Sequence, residues 1–396
     1  MRELAINGGK PIRNTYLAYG RQTIDDDDID NVVSVLKGEY LTTGPIVNKF
    51  ENSILNYVGS KYAVAVSNGT AALHMACHVA GISKGDEVLV PAITFAASSN
   101  CVLYCGGTPV FVDVDPYSYN INVNEIKKKI TDKTKAIIVV DFAGQSVDMD
   151  SILQIAEEYN LIVIEDAAHA FGSEYKNKKV GIKAHMTTFS FHPVKPITTG
   201  EGGAVVTNSK ELYEKMLLFR SHGITRNCEF MTENQGPWYY EQIDLGYNYR
   251  LTDIQSALGL SQIKKIDKFI KKRREIVKIY NENFKDIDEI VIPFEYEYSK
   301  SGYHIYVLLL NLNKLKCDRK TIFEALQAEN IGVNVHYLPV YLHPYYRELG
   351  YKKGSCPIAE DIYNKMITIP LFPSMSNKDI EDVIKAVKKV INYYRK

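Results

Sequence analysis

Leu161-Ile-Val-Ile-Glu-Asp-Ala-Ala-His-Ala170 runs four apolar residues into two acids, then through two alanines to His169. A short apolar run bounded by polar residues reads as a buried strand. Ending such a strand on carboxylates is costly unless the charge meets a cation or caps the next element. The stretch therefore poses a question of fold and a question of chemistry together.

Working outward, similar runs recur at Tyr62–Val66, Glu87–Val90, Val110–Val112, Ala136–Val140, Thr187–Ser190 and Ala204–Val206. Between several of them lie segments such as Asp150–Asn160, with apolar residues at helical spacing. Continuous apolar strands alternating with helices predict an α/β fold with a mostly parallel central sheet flanked by helices. Its ligands are expected at the carboxyl ends of the strands. After about Arg250 the texture changes. A helix is predicted from Asp253 through the basic run Lys264–Arg274, then a strand over Tyr303–Leu310 and helices near Arg319–Ala328 and Asp379–Tyr394. This divides the chain into a large domain, 1–252, and a smaller α+β C-terminal domain, 253–396. Asp25–Asp28 fits the first turn of a helix, where carboxylates suit the positive end of the dipole.

The 396 residues carry 47 basic and 47 acidic side chains, so no global field favours nucleic acid or an anionic membrane. The basic run is read as a solvated helix face. No apolar run approaches the roughly 20 residues of a membrane span, and the N-terminal decapeptide lacks a secretion-signal core, so a cytoplasmic place is expected. The six cysteines form no C-x-x-C pair and read as reduced thiols. His74 and His78 have the i, i+4 spacing of helical zinc ligands, but position 75 is Met, not the Glu of H-E-x-x-H. No metal is expected.

Three features at strand ends carry chemistry. Ser67-Asn-Gly-Thr-Ala-Ala-Leu73 is a small-residue turn opening a helix, where free N–H groups and the Thr70 hydroxyl suit an anion. Asp166 ends a strand. Ser190-Phe-His-Pro-Val-Lys-Pro-Ile-Thr-Thr-Gly-Glu-Gly-Gly203 places Lys195 between two prolines, ahead of a glycine cluster. A nucleotide P-loop puts its lysine after the glycines, so residue order excludes it. A strand-end acid, a later lysine and an anion-binding helix start point instead to pyridoxal phosphate, which needs a ring-nitrogen partner, a Schiff-base lysine and a phosphate cradle. Such a lysine must be neutral to shuttle a proton, and burial lowers its pKa in that direction.

The sequence also resembles the sugar-nucleotide aminotransferases named after DegT, within the fold-type I pyridoxal-phosphate enzymes. The resemblance rests on Leu41-Thr-Thr-Gly-Pro45, Asn68–Leu73, Pro91-Ala-Ile-Thr-Phe95, Glu165–His169, Ser190–Gly203, Gly246-Tyr-Asn-Tyr-Arg250 and His336-Tyr-Leu-Pro339. It spans essentially the whole chain, and its wording is nearest the branch that aminates a keto-sugar on the pseudaminic-acid route. It implies transamination of a nucleotide-linked 4-keto-6-deoxyhexose with glutamate as donor. Lys195 then corresponds to the Schiff-base lysine and Asp166 to the ring-nitrogen partner. Phe95 would stack on the ring, His169 would lie near its 3-hydroxyl, and Gly69, Thr70 and Ser190 would hold the phosphate. Asn248 would reach the phosphate of a second subunit, which implies a homodimer. Thr42, Arg250 and His336 fall in segments that line the substrate cleft. His169 stands where many relatives carry Gln, and Ala143 where many carry Tyr. Amination or dehydration of another keto-sugar, and a cofactor-binding regulator without turnover, remain alternatives. A sister branch that dehydrates has His in place of the lysine, so Lys195 favours transamination.

Overall fold

The computed structural model describes residues 3–396. Seven strands form the central sheet: β1 (Tyr62–Val66), β2 (Glu87–Pro91), β3 (Thr108–Val112), β4 (Thr134–Val140), β5 (Ile162–Asp166), β6 (Met186–Ser190) and β7 (Gly203–Thr207). Their order is β1-β7-β6-β5-β4-β2-β3. β7 runs antiparallel to both neighbours, and the other pairings are parallel. The apolar runs are strands, as their composition predicts. β5 ends on its two acids, as read from the sequence. Its pairing with β4 continues through Val139↔Glu165 and Val140↔Asp166, so both acids belong to the strand. Alternation then sends neighbouring side chains to opposite faces.

Helices cover both faces. α1 (Asp26–Leu36) starts with a capping box between Asp25 and Asp28. α2 (Pro45–Val58), α3 (Gly69–Val79), α4 (Ala97–Tyr104), α5 (Met149–Glu158) and α6 (Lys210–Arg220) follow. α3 and α4 bury Ala71, Ala76, Cys77 and Cys101 with Val64, Val88 and Ile138 of the sheet. The other face packs Phe50, Phe171, Phe189 and Phe191 together.

The predicted long helix from Asp253 is two helices, α7 (Asp253–Ile263) and α8 (Ile266–Phe284). The break falls beside Lys265, whose ammonium turns to the carboxylates of Asp25 and Asp28 at the start of α1. Nor is the basic run wholly solvated. Arg273 is buried and donates to the carbonyls of Tyr303, His304 and Leu371. Of the six free cysteines, Cys77, Cys101 and Cys356 are buried and Cys228 is exposed.

A second core joins α8 to β8 (Ile290–Val291), β9 (Tyr306–Leu310), β10 (Met366–Ile369), α9 (Arg319–Ala328) and α10 (Asn377–Tyr394). Leu4 and Leu17 are buried in this core, and Glu329 accepts the Ala5 and Ile12 N–H groups. The first residues of the chain thus pack with its last third, across the sequence division at 252. Among the described residues, no helix is long and apolar enough to cross a membrane, and no cluster of His, Cys, Asp and Glu suits a metal ion.

Candidate active site

The carboxyl ends of β5 and β6, the start of α3 and the loop 334–337 enclose a cleft of about 840 Å³. Gly69, Thr70, Phe95, Asp166, His169, Ser190, Lys195 and His336 all line it. Residues from positions 69 to 336 of the chain are thereby brought to one place. A second cleft, about 920 Å³, runs along α8, and none of the predicted site residues lies in it.

At the start of α3, Asn68 accepts the Ala71 N–H at 2.8 Å, leaving the first turn free to face outward. The Gly69 and Thr70 N–H groups donate to no acceptor among the described residues. A Cβ on Gly69 would come within 2.9 Å of the Ser190 Cβ, so only glycine brings this turn against β6. Gly203, at the start of β7, is similarly closed: a Cβ there would sit 2.5 Å from the Asn68 carbonyl oxygen. Free N–H groups at a helix start, the Thr70 hydroxyl and the Ser190 hydroxyl make an anion cradle.

Asp166 is buried, and desolvation pushes its carboxyl above the usual range. Ser98 on α4 opposes this by donating its hydroxyl to Oδ2 at 2.6 Å, and the Ala168 N–H donates to Oδ1 at 3.2 Å. Lys195 follows β6 in a turn closed by its own N–H to the His192 carbonyl, 2.9 Å. The side chain is partly exposed to the cleft, yet crowding around the amine lowers its pKa to about 8, against the pull of Asp166. A lysine near pH 8 supplies both the ammonium and the free amine under ordinary conditions.

His169 is held neutral by burial. Its Nδ1 accepts the Ala143 N–H at 3.2 Å, and its Nε2 lies 3.2 Å from the Tyr337 hydroxyl. Its ring lies 4.4 Å from that of His304. His336 is pinned by Thr368, Nδ1 to Oγ1 2.9 Å, and burial lowers its pKa to about 3. Phe95 is 60% exposed, its ring 6.0 Å from Tyr337, so an aromatic face is open to the cleft.

Thr42, Asn248 and Arg250 lie outside the lining formed by one chain. Thr42 bridges to Thr252, Asn248 to Ser221 and Arg250 to Val66. Asp253 fixes the loop before α2 by accepting the Gly44 and Ile46 N–H groups at 2.7 and 2.8 Å. Sequence reading missed Thr94, Ser98, His304, Asn334 and Tyr337. Ser98 opens a helix directly after the Pro91–Phe95 segment, a strand-to-helix junction that could have drawn attention. His304 and Asn334 carry no local signal, since they reach the cleft from segments beside the second core.

The pattern of the DegT/DnrJ/EryC1/StrS aminotransferase family matches residues 22–388. The chain belongs to this family. It is 40% identical over 385 residues to the UDP-4-amino-4,6-dideoxy-N-acetyl-beta-L-altrosamine transaminase of Campylobacter jejuni, covering 96% of this chain and 99% of that one. Its fold matches Helicobacter pylori PseC, an aminotransferase involved in the biosynthesis of pseudoaminic acid, with TM-score 0.90 and 35% identity over 96% of this chain and 100% of that one. It also matches the PLP-form of a putative sugar aminotransferase, Spr1654, from Streptococcus pneumoniae, with TM-score 0.89 and 30% identity over 96% and 99% of the two chains. The protein is a sugar aminotransferase of the DegT family. Pyridoxal phosphate is the cofactor of this family. The site fits that group: an anion cradle of N–H groups without protein acceptors, a buried carboxylate, an open aromatic face and a lysine of lowered pKa surround one cleft.

Proposed function

We propose that this protein transfers the amino group of glutamate to a nucleotide-linked 4-keto-6-deoxyhexose, for the synthesis of a bacterial surface-glycan sugar. The observation that carries the reading is the meeting of Asp166 and Lys195 in one cleft with the free N–H groups of Gly69 and Thr70. The bound cofactor supplies an electron sink for the pair left when a C–H bond beside the amine breaks. Asp166 keeps a cationic ring nitrogen paired, which a buried carboxylate favours strongly. Lys195 is the catalytic base: its Nζ takes a proton from the amine-bearing carbon and would return it to the carbon on the other side of the amine nitrogen, which its lowered pKa permits. Gly69, Thr70 and Ser190 bind the phosphate, and Phe95 packs on the ring. His169 lies beside the ring hydroxyl. His336, Thr42 and Arg250 bind the sugar nucleotide.

In the same proposal the working unit is a homodimer. Trp238 and Leu245 are 71% and 72% exposed, with Phe230 and Tyr240 also open to solvent, on the segment that leads to Asn248. Exposed aromatic surface of this kind suits burial against a second copy. Asn248 of one copy then completes the phosphate site of the other. The proposed division into a cofactor-binding domain, 1–252, and a C-terminal domain, 253–396, assigns α8 and the second core to the latter, apart from Leu4 and Leu17 of the former.

The test loads the protein with pyridoxal phosphate, converts it with glutamate, and screens 3-keto and 4-keto sugar nucleotides for return of the original visible spectrum. Return with a 4-keto-6-deoxyhexose and release of an amino sugar is the expected result. No spectral change with glutamate, or return only with a 3-keto sugar, would contradict the reading.

A further inference from the structure

Asp166 is held by more than its strand. Ser98, fully buried on α4, gives its hydroxyl to Asp166 Oδ2 at 2.6 Å, and its own oxygen lies 2.6 Å from the Thr94 hydroxyl. A hydroxyl has one hydrogen to give. With that of Ser98 committed to the carboxylate, Thr94 must be the donor in the second contact. The three groups thus form a directed chain, Thr94 to Ser98 to Asp166, pointing its positive ends at the carboxylate. Hydrogen bonds in such a chain polarise one another, and a bond to an ionised acceptor is stronger than one between neutral groups.

Ala96, at the start of α4, caps nothing with its side chain, while Ser98, in the first turn, turns away to Asp166. Of the contacts that keep the Asp166 carboxyl ionised against its burial, the Ser98 hydroxyl is the largest, ahead of the Ala168 N–H and the attraction of Lys195. The other titratable groups that feel this carboxylate are Asp141, just after β4, whose carboxyl burial and Glu165 push upward, and Tyr337, whose hydroxyl burial pushes upward. Neither supplies a positive charge.

We infer that Ser98 and Thr94 are positioning residues that keep Asp166 ionised and aimed, and so set the protonation of the cofactor's ring nitrogen. The inference rests on the proposed pyridoxal-phosphate site. Removing Ser98 leaves the carboxylate with one backbone N–H and Lys195, so a larger share of it is protonated at neutral pH and its hold on a cationic ring weakens.

The test uses the whole protein loaded with pyridoxal phosphate labelled with nitrogen-15 in the ring, followed by NMR across pH. In the wild type the ring nitrogen stays protonated through neutral pH. In Ser98→Ala the midpoint of deprotonation falls by about one pH unit and pyridoxal phosphate binds about tenfold more weakly, the loss expected for one charge-assisted hydrogen bond. Thr94→Val gives a smaller shift in the same direction, while Thr94→Ser, which keeps the hydroxyl, matches the wild type. If Ser98→Ala does not fold, the Thr94 pair carries the test alone. Unchanged ring protonation in Ser98→Ala or Thr94→Val, or equal shifts in Thr94→Ser and Thr94→Val, would overturn the inference and leave the proposed function standing. A wild-type chain that takes up no pyridoxal phosphate overturns both.

Discussion

Lys195 stands in surroundings that act on it in two directions: burial drives its proton off, and Asp166 draws it back. Burial wins, and the pKa falls from 10.5 to about 8. The sign has a consequence for the protein without its cofactor. Below pH 8 the amine is charged in both folded and unfolded chains, and the folded state bears the full cost of enclosing that charge. Between 8 and 10.5 the folded chain releases its proton first, so stability rises with pH across that window. Lys195→Met therefore stabilises the apo-protein at pH 7 by up to about 3 kcal/mol, and the advantage is gone by pH 10.5. Urea unfolding at the two pH values measures this, and a variant no more stable than wild type at pH 7 would contradict it. The acid and the lysine were legible because each stands at the end of a recognisable apolar run. Ser98 was not: it is one small residue in a helix, and its meaning depends on a carboxylate 68 residues further along the chain.

At the scale of elements, the anion cradle depends on how closely α3 approaches the edges of β6 and β7. The glycine cluster before β7 acts through packing, since the chain returns from Lys195 to lie under the Asn68 carbonyl. Gly203→Ala places a methyl 2.5 Å from that backbone oxygen, which no side-chain rotation relieves. It is expected to destabilise the fold by about 1–3 kcal/mol and to weaken pyridoxal phosphate binding with it. Thermal unfolding and a cofactor titration check this, and a variant as stable and as tight-binding as the wild type would contradict it. The strands themselves were readable from sequence because fully buried parallel strands are nearly continuous apolar runs. The break between α7 and α8 was not readable, because it carries no Gly or Pro and shows itself only through the distant partners of Lys265, Asp25 and Asp28.

For the whole molecule, the site is assembled from both cores. His304, Asn334 and His336 reach the cleft from segments beside the second core, while Asp166 ends a strand of the central sheet and Lys195 follows one. The packing of Leu4 and Leu17 into the second core was equally hidden, because contacts across more than 300 residues leave no periodic trace. The proposed dimer belongs to this scale. Leu245→Glu puts a charge on the exposed segment that carries Trp238 and is expected to yield monomers in sedimentation at micromolar concentration, with weaker cofactor binding as Asn248 is withdrawn from the neighbouring site. A dimer unchanged by this substitution would contradict the placement of the interface. In the proposed function, Lys195 is the residue joined to the cofactor. Reduction of the pyridoxal-phosphate-loaded protein with borohydride, followed by peptide mass mapping, tests it most directly. One added reduced cofactor is expected on the peptide containing Lys195, absent when the protein is first treated with glutamate. A label on another lysine, or none at all, would contradict it.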